Sequence, residues 1–479
     1  MVGLTEDVAY LELTEVAELI RARQVTSVEV TETLLRRIGT HDPTLLSYAT
    51  VMSEVALTAA QRTDDELAHG RYRGPLHGVP IAVKDLCFTT DAPTAGGGTV
   101  NADFVPSYDA TVVARLRAAG AVLTGKLRMT EGAYTSHHPD LPVPVNPWDA
   151  DTWSGASSSG SGVATAAGLC YGSLGSDTGG SIRLPSSMNG VTGLKPTWGR
   201  VSRHGILELA ASLDHIGPMA RSAKDCAAML TVLAGADVND PTSSLEPVPV
   251  PDYLAGLLLR AVPRLGVDRQ LLSTFDAPTQ QMLQDVLEVV EGLGWTVVDL
   301  HLPDLADIAA DFAPLCAVET AAAHMKDYPS RSSEYGPALG NLIETGLAMS
   351  AVELQRLLER RRAFTGRMRR VFASVDLLLM PGIGLAPPTL ETMDTLGSDP
   401  DLLSALVVPT APFDICGMPT ITLPGGSSDR GTPLAFQLAG AEFSEQLVLQ
   451  AAHAYQGVTT FHRTHPSLVP SPQLERTAS

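Results

Sequence analysis

Hydrophobic positions near the start of the chain repeat with a helical period. Thr26 and Glu29 form a candidate capping box at the head of this pattern. Aliphatic residues then follow at intervals of four positions, at Val30, Leu34 and Ile38. A second helical pattern covers residues 53–69. The sequence therefore predicts a helical N-terminal part, residues 1–70.

Short apolar runs replace the helical period after this part. Residues 78–83, GVPIAV, predict a buried strand that ends at Lys84, and residues 120–124, GAVLT, predict another. Between them we expect a helix that Asp109 caps and that runs through Ala119. Alternating strands and helices of this kind are typical of an α/β fold with a mixed sheet.

The same alternation continues toward the C-terminus. Residues 353–370 predict an arginine-rich helix with a solvated face, residues 376–380 a buried strand, and residues 443–456 a last helix. The proline-rich segment 245–253, LEPVPVPDY, predicts a surface connector. We expect one large domain, a central mixed β-sheet flanked by helices. Its predicted parts are a helical part (1–70), a core (71–235), a variable substrate-side helical part (236–375) and a C-terminal part (376–479).

Composition narrows the class of protein. With 479 residues, of which 44% are hydrophobic and 18% charged, the chain can bury a sizeable core. A net charge of −20 argues against a general nucleic-acid or anionic-membrane binder. No run approaches the roughly 18 apolar residues of a membrane span, and the N-terminus lacks a signal-peptide pattern, so we expect a cytoplasmic protein. Five scattered cysteines with no CxxC pair predict neither a disulfide framework nor a zinc site, and we expect no metal or cofactor.

The glycine- and serine-rich stretch 154–186 is the strongest candidate for chemistry. Two clusters, GASSSGSG at 155–162 and SDTGGS at 176–181, flank a short alanine-rich run. Small residues let consecutive backbone N–H groups converge on one oxygen, so Thr178–Ser181 is a candidate oxyanion hole. We interpret the two clusters as halves of one nucleophilic site.

A serine nucleophile requires a base, and no histidine stands in an obvious catalytic motif. The motifs G-x-S-x-G, S-x-x-K and G-x-x-x-x-G-K-[ST] are all absent. Lys84 follows an apolar run directly, and burial there would lower its pKa so that the neutral amine can accept a proton. Its position alone favours the other interpretation, a lysine that reaches solvent from the end of a strand.

Several long motifs decide between these interpretations, because together they resemble the amidase signature family. The three main ones are GVPIAVKDL at 78–86, GASSSGSG at 155–162 and GSDTGGSIRLPS at 175–186. Further similar segments are GVTGLKPTWGRVS, SLDHIGPMARS, DLLLMPG, CGMPTITLPGG and AFQLAGAEFSEQLVLQAA. The resemblance extends over about residues 14–456 and implies the amidase signature fold and hydrolysis of an amide C–N bond.

The resemblance also implies roles for individual residues. Ser181 matches the nucleophile, Lys84 the general base and acid, and Ser157 a relay serine that follows a cis peptide. The implied oxyanion hole consists of the N–H groups of Thr178, Gly179, Gly180 and Ser181, and the implied supporting residues are Ser158, Asp177 and Arg183. The chain departs from the family at Ala156, Ser159 and Gly162, where glycine, glycine and alanine are usual, but no catalytic group is lost.

The substrate is much less determined than the reaction. Segments 128–153 and 310–350 are expected near it, and an aromatic and apolar mixture favours a neutral or aryl amide, an anilide or a carbamate. The candidate pocket residues from these segments are Met129, Tyr134, His138 and Cys316, followed by His137, Trp153, Phe312, Leu315 and Met325. We expect a small amide, ester or carbamate as partner, no nucleic acid and no membrane, and a monomer or homodimer.

Two other functions stay open at this point. The family also supplies the glutamine-hydrolysing subunit of a tRNA-dependent amidotransferase, which GRVSRHG at 199–205 resembles but residues 127–148 do not. A non-catalytic binding protein on the same fold is the other, and the joint presence of Lys84, Ser157 and Ser181 argues against it.

Overall fold

A mixed β-sheet forms the centre of the molecule, and the computed structural model describes residues 6–246 and 249–468. Within these ranges the strands are β1 (Tyr48–Val51), β2 (Pro80–Lys84), β3 (Val122–Leu127), β4 (Gly172–Asp177), β5 (Thr192–Lys195), β6 (His215–Ala220), β7 (Arg264–Val267), β8 (Thr296–Asp299), β9 (Leu377–Pro381), β10 (Thr420–Ser427) and β11 (Pro433–Gly440). They form one sheet in the order β1-β3-β2-β4-β6-β5-β10-β11-β9-β7-β8.

Helices pack around this sheet in the described residues. They are α1 (Leu13–Arg21), α2 (Ser27–Leu45), α3 (Ser53–Ala68), α4 (Thr111–Ala118), α5 (Ser159–Ala166), α6 (Arg183–Asn189), α7 (Ala223–Leu233), α8 (Arg269–Leu272), α9 (Ala277–Gly292), α10 (Leu305–Ala310), α11 (Phe312–His324), α12 (Tyr328–Arg331), α13 (Pro337–Ala348), α14 (Ala351–Val371), α15 (Leu390–Met393), α16 (Pro400–Val407), α17 (Ala411–Ile415) and α18 (Glu445–Gln456). Short 3₁₀ turns lie at Glu6–Tyr10, Glu131–Ala133, Ser332–Glu334 and Phe461–Arg463.

The directions of the central strands determine where chemistry can occur. β2 pairs in parallel with both β3 and β4, and Ile81 lies opposite Gly172 in the β2–β4 register. Every residue of β2 and β4 is buried. Because the carboxyl ends of parallel neighbours meet at one edge of a sheet, Lys84 and Asp177, the last residues of these strands, lie at the same edge.

The predicted α/β class, with a central mixed sheet flanked by helices, is confirmed. The predicted capping box is also present, since Thr26 Oγ1 accepts from Glu29 N and the Glu29 carboxylate accepts from Thr26 N. The predicted helix cap at Asp109 is wrong. α4 follows Ala110 without a side-chain cap, because the Asp109 carboxylate instead accepts from Thr90 N and pairs with Arg117.

Other predicted boundaries shift by a few residues. β2 ends at Lys84 as predicted but begins at Pro80, and α14 begins at Ala351 after a cap by Ser350. Residues 247 and 248 of the predicted connector lie outside the described residues, and the rest of 245–253 is in no helix or strand. In the described part of the chain, no helix combines the length and apolar character that crossing a bilayer requires. The division of the domain into four parts stays a prediction.

Candidate active site

Lys84 is a fully buried lysine at the end of β2. Its Nζ donates to Ser157 Oγ at 2.6 Å and to Ser176 Oγ at 2.8 Å. Burial lowers the pKa of Lys84 from 10.5 to about 7, because the charged ammonium loses its hydration. A large fraction of this amine is therefore neutral near pH 7 and can accept a proton, which the solvent-facing alternative does not allow.

The first glycine- and serine-rich cluster lies directly against Lys84. The Ala156–Ser157 peptide bond is cis. Ser158 Oγ donates to the carbonyl of Ser176 at 3.2 Å and accepts from the N–H of the same residue at 3.3 Å. The Ser158 N–H donates to the carbonyl of Ser181 at 3.2 Å. Ser158 thus ties the first cluster to β4 and to the second cluster.

The second cluster folds around the carboxylate of Asp177. This carboxylate accepts from Gly180 N at 2.7 Å and Ile182 N at 2.9 Å. It also accepts from the Arg183 guanidinium, from Nη2 at 2.8 Å and Nε at 3.0 Å. Burial alone would raise the pKa of Asp177, but the Arg183 charge holds it well below the usual range. An ionised carboxylate therefore fixes this turn.

The turn leaves only part of the predicted oxyanion hole free. The Gly180 N–H donates to Asp177, so the expectation that this amide faces a substrate oxygen is not met. The N–H groups of Gly179 and Ser181 have no hydrogen-bond partner among the described residues, and both residues are partly exposed. Gly180 has φ +133°, a conformation that favours glycine. The N–H groups of Gly179 and Ser181, on either side of Gly180, are therefore free to bind a ligand, and the Thr178 N–H likewise has no partner among the described residues.

A narrow cavity of about 80 Å³, which we call the Ser181 cavity, opens onto these amides. Its lining contains no aspartate, glutamate, lysine, arginine or histidine. The ring of Phe312 lies so close to Gly179 that a Cβ there would approach it to 2.4 Å. The lining residues are Ala133, Tyr134, Thr135, Trp153, Ala156, Thr178, Gly179, Ser181, Leu184, Leu209, Phe312, Leu396, Leu403, Leu406 and Val407.

Comparison with known proteins identifies the family. The sequence model of the Amidase family matches residues 29–449. The chain belongs to the amidase family. This result confirms the resemblance drawn from the motifs, and it makes the protein an amidase-type hydrolase of C–N bonds.

Three relatives show how the enzyme is placed in this family. AmiD, a protein of Mycobacterium tuberculosis (strain ATCC 25618 / H37Rv) named as an amidase, is 60% identical over 97% of both chains. A glutamyl-tRNA(Gln) amidotransferase subunit of Chloroflexus aurantiacus (strain ATCC 29366 / DSM 635 / J-10-fl) is 36% identical over 96% of this chain and 99% of its own. The peptide amidase of Stenotrophomonas maltophilia superposes with a TM-score of 0.82 at 29% identity, over 95% of this chain and 98% of that one.

The enzyme brings some of the predicted pocket residues together and separates others. Tyr134, Trp153 and Phe312 line the Ser181 cavity. The other predicted residues do not, and their positions elsewhere explain why. Met129 lines a different cavity, and Cys316 is buried in α11 with its thiol 3.7 Å from Thr320 Oγ1. His138 lies beside Asp140, and His137 contacts Ser159. Leu315 is buried and Met325 is exposed.

A group of buried charges behind the turn supports it and was missed by the sequence analysis. Arg183 also pairs with Asp414 at 2.5 Å, and His215 Nδ1 lies 3.4 Å from the other oxygen of that carboxylate. Lys195 Nζ lies 3.2 Å from His215 Nε2. Burial lowers the pKa of Lys195 to about 8. Asp414 is 231 residues away from Arg183 in sequence, so no local motif indicates this contact.

In the part of the chain that the structure covers, no group of three or more histidine, cysteine, aspartate or glutamate side chains is placed to hold a metal ion.

Proposed function

We propose that the enzyme hydrolyses the C–N bond of a linear amide through an acyl-enzyme formed on Ser181. The observation that carries this proposal is the buried Lys84 amine, which is hydrogen-bonded to Ser157, while the next residue, Ser158, donates its N–H to the carbonyl of the partly exposed Ser181. The amine lies away from the substrate cavity, whereas the nucleophile lines it. This placement suits a base that acts through a relay.

The proposed reaction has two halves. Neutral Lys84 takes a proton from Ser157, which takes the proton of Ser181, and Ser181 Oγ attacks the carbonyl carbon. The N–H groups of Gly179 and Ser181 bind the oxygen that becomes negative. The Lys84 ammonium returns its proton through Ser157 to the leaving nitrogen as the C–N bond breaks. Water then attacks the acyl-enzyme with the same proton route and releases the acid.

The Ser181 cavity supports a neutral group next to the scissile carbonyl. Its aliphatic and aromatic lining offers no counter-charge, and a charged group there would lose hydration without compensation. Aryl amides and carbamates are therefore the proposed substrates, with esters of similar shape as alternatives. A peptide amide belongs in the same comparison, because a peptide amidase is among the structural relatives.

A hydrolysis panel with a matched serine control tests the proposal. The panel holds short aliphatic amides, anilides, carbamates, esters, a peptide amide and glutamine. Ser181→Ala is expected to lower kcat by at least about 10⁴-fold on every substrate that the enzyme hydrolyses. Ser186, five residues further on, has a buried hydroxyl without a partner among the described residues, so Ser186→Ala is the control that retains activity. Wild-type rates in Ser181→Ala would overturn the assignment.

Glutamine hydrolysis within a tRNA-dependent amidotransferase is the second candidate. The 36% identity to the Chloroflexus aurantiacus protein favours it. Glutamine carries an α-ammonium and an α-carboxylate, and the Ser181 cavity has no charged side chain to pair with either. Ammonia release from glutamine that partner proteins and tRNA stimulate would place the enzyme in this class.

A further inference from the structure

A second cavity adjoins the Ser181 cavity and shares two walls with it. In the turn 131–134, the first two residues line the second cavity and the last two line the Ser181 cavity. Segment 207–209 is divided in the same way, with Leu209 on the Ser181 side. We call this second space, of about 420 Å³, the Glu131 cavity. Its size is in the range of small-molecule sites.

The carboxylate of Glu131 is the unusual group in this wall. Its residue is only 4% exposed, burial raises the pKa of its carboxyl, and no ion pair to it is found among the described residues. Both of its oxygens accept from one donor, the Gly336 N–H, at 2.9 and 3.1 Å. A carboxylate offers about four acceptor positions, so most of its capacity is unused. A cationic N–H donor stabilises a buried carboxylate that has unused acceptor positions and no paired charge.

The remaining charges around the Glu131 cavity are also mainly negative. Glu208 and Asp327 belong to its lining, and Lys326 is the one lysine or arginine in that lining. Glu208 lies 3.6 Å from Arg203, which is outside the lining. The cavity therefore attracts a cation more strongly than an anion.

The other walls fit an aromatic group. Phe88 and Phe104 line the cavity with their rings edge to face at 5.3 Å, and Tyr335 adds a third ring. Tyr335 also contacts Nδ1 of His324 at 3.2 Å. The Nε2 of His324 is buried and has no partner among the described residues. With the proton on Nδ1, this Nε2 is a second acceptor for a ligand N–H.

We infer that the Glu131 cavity receives the leaving amine of the substrate, bound as an ammonium by Glu131 with an aralkyl group against the aromatic rings. The inference rests on the proposed amide hydrolysis. When the C–N bond breaks, the nitrogen takes one proton from the Lys84 relay, and the released aliphatic amine takes another from water. An aromatic amine such as aniline stays neutral at pH 7. Within the proposed substrates, those that combine a neutral acyl group in the Ser181 cavity with a benzylamine-like leaving amine are therefore preferred.

Equilibrium binding of benzylammonium to the full-length enzyme tests this inference. Calorimetry is expected to detect binding to wild type that Glu131→Gln weakens by about tenfold or more, the loss typical of a charge-assisted hydrogen bond. Glu208→Gln, a half-exposed carboxylate of the same cavity, is expected to weaken binding by only about twofold. Benzyl alcohol, which has the same ring without the charge, is expected to bind weakly and equally to wild type and Glu131→Gln.

The opposite results overturn the inference. These are no benzylammonium binding to wild type at millimolar concentration, an equal effect of the two glutamine variants, or equal affinity for benzyl alcohol. Glutamine at position 131 can still accept from Gly336, and an unchanged thermal unfolding midpoint verifies the fold of the variant.

A kinetic comparison separates this inference from the proposed function. The substrates are the N-benzylamide and the methyl ester of one acid. Glu131→Gln is expected to lower the ratio of kcat/KM for the amide to that for the ester by about tenfold. An unchanged ratio in an enzyme that hydrolyses both contradicts the inference alone. Wild type that hydrolyses neither compound contradicts the proposed function, while the binding result still decides on the Glu131 cavity.

Discussion

Replacing Lys84 by methionine measures how strongly burial disfavours the lysine charge. The pKa of Lys84 is about 7 in the folded protein and 10.5 without burial. At a pH between these two pKa values, Lys84 binds a proton in the unfolded chain but not in the folded protein. Keeping Lys84 buried and neutral at pH 7 therefore lowers the free energy of unfolding by about 4 kcal/mol.

Methionine removes this penalty and retains most of the side-chain volume. It also removes the two hydrogen bonds to Ser157 and Ser176, each of which contributes about 1 kcal/mol. The expected result is an inactive variant that is more stable than wild type by about 2 kcal/mol at pH 7. The advantage shrinks by about 2 kcal/mol by pH 9, because the free energy that the unfolded wild-type lysine gains from its proton falls by about 1.4 kcal/mol per pH unit.

Urea unfolding of both proteins at the two pH values measures this difference. Lys224→Met on α7, where the lysine is partly exposed, is the control and is expected to stay within about 0.5 kcal/mol of wild type. A Lys84→Met variant less stable than wild type by the same amount at both pH values would refute the reasoning. Such a result means that Lys84 is charged and paired in the folded protein.

Three further predictions concern catalysis. The kcat/KM for an ester is expected to fall about tenfold per pH unit below pH 7, because Lys84 becomes protonated. Lys84→Ala is expected to lose more rate on the matched amide than on this ester. A pH profile that stays flat down to pH 5 would contradict the role of Lys84 as the base. Asp177→Asn is expected to lower kcat by about 10²-fold with little change in KM, because the turn at Gly180 loses its ionised hydrogen-bond acceptor. Steady-state kinetics that show an unchanged kcat would mean that Asp177 does not hold this turn for catalysis. Trp153→Ala is expected to raise KM about tenfold for bulky substrates and much less for acetyl esters, because Trp153 lines the Ser181 cavity. Equal changes in KM for both kinds of substrate would exclude Trp153 from the substrate site.

The parts of the site that follow from local sequence were predictable. The apolar run before Lys84 and the glycine-rich turn before Ser181 both indicate their positions, and the parallel pairing of β2 and β4 brings them to one edge. The class of fold follows in the same way from alternating strands and helices. Residue identity alone could not show that the Gly180 amide faces Asp177, because that depends on how the turn winds around the carboxylate.

The surroundings of the site depend on contacts between distant segments. Thr410 Oγ1 donates to the Gly179 carbonyl at 2.7 Å across 231 positions of sequence. Leu396 and Leu403 cover the Ser181 cavity from a segment with no recognisable motif. Cys316 was expected in this cavity, but its position on α11 turns the thiol toward Thr320. Such contacts are set by tertiary packing, and a single sequence does not record them.

Rapid acid quench followed by peptide mass spectrometry tests the central claim most directly. The enzyme is mixed with an activated ester and stopped within a single turnover, so that an acyl-enzyme is caught before water cleaves it. The account predicts one acyl group, attached to Ser181, and no such adduct in Ser181→Ala. An acyl group on another residue of the wild-type enzyme, or the same adduct in Ser181→Ala, would contradict it.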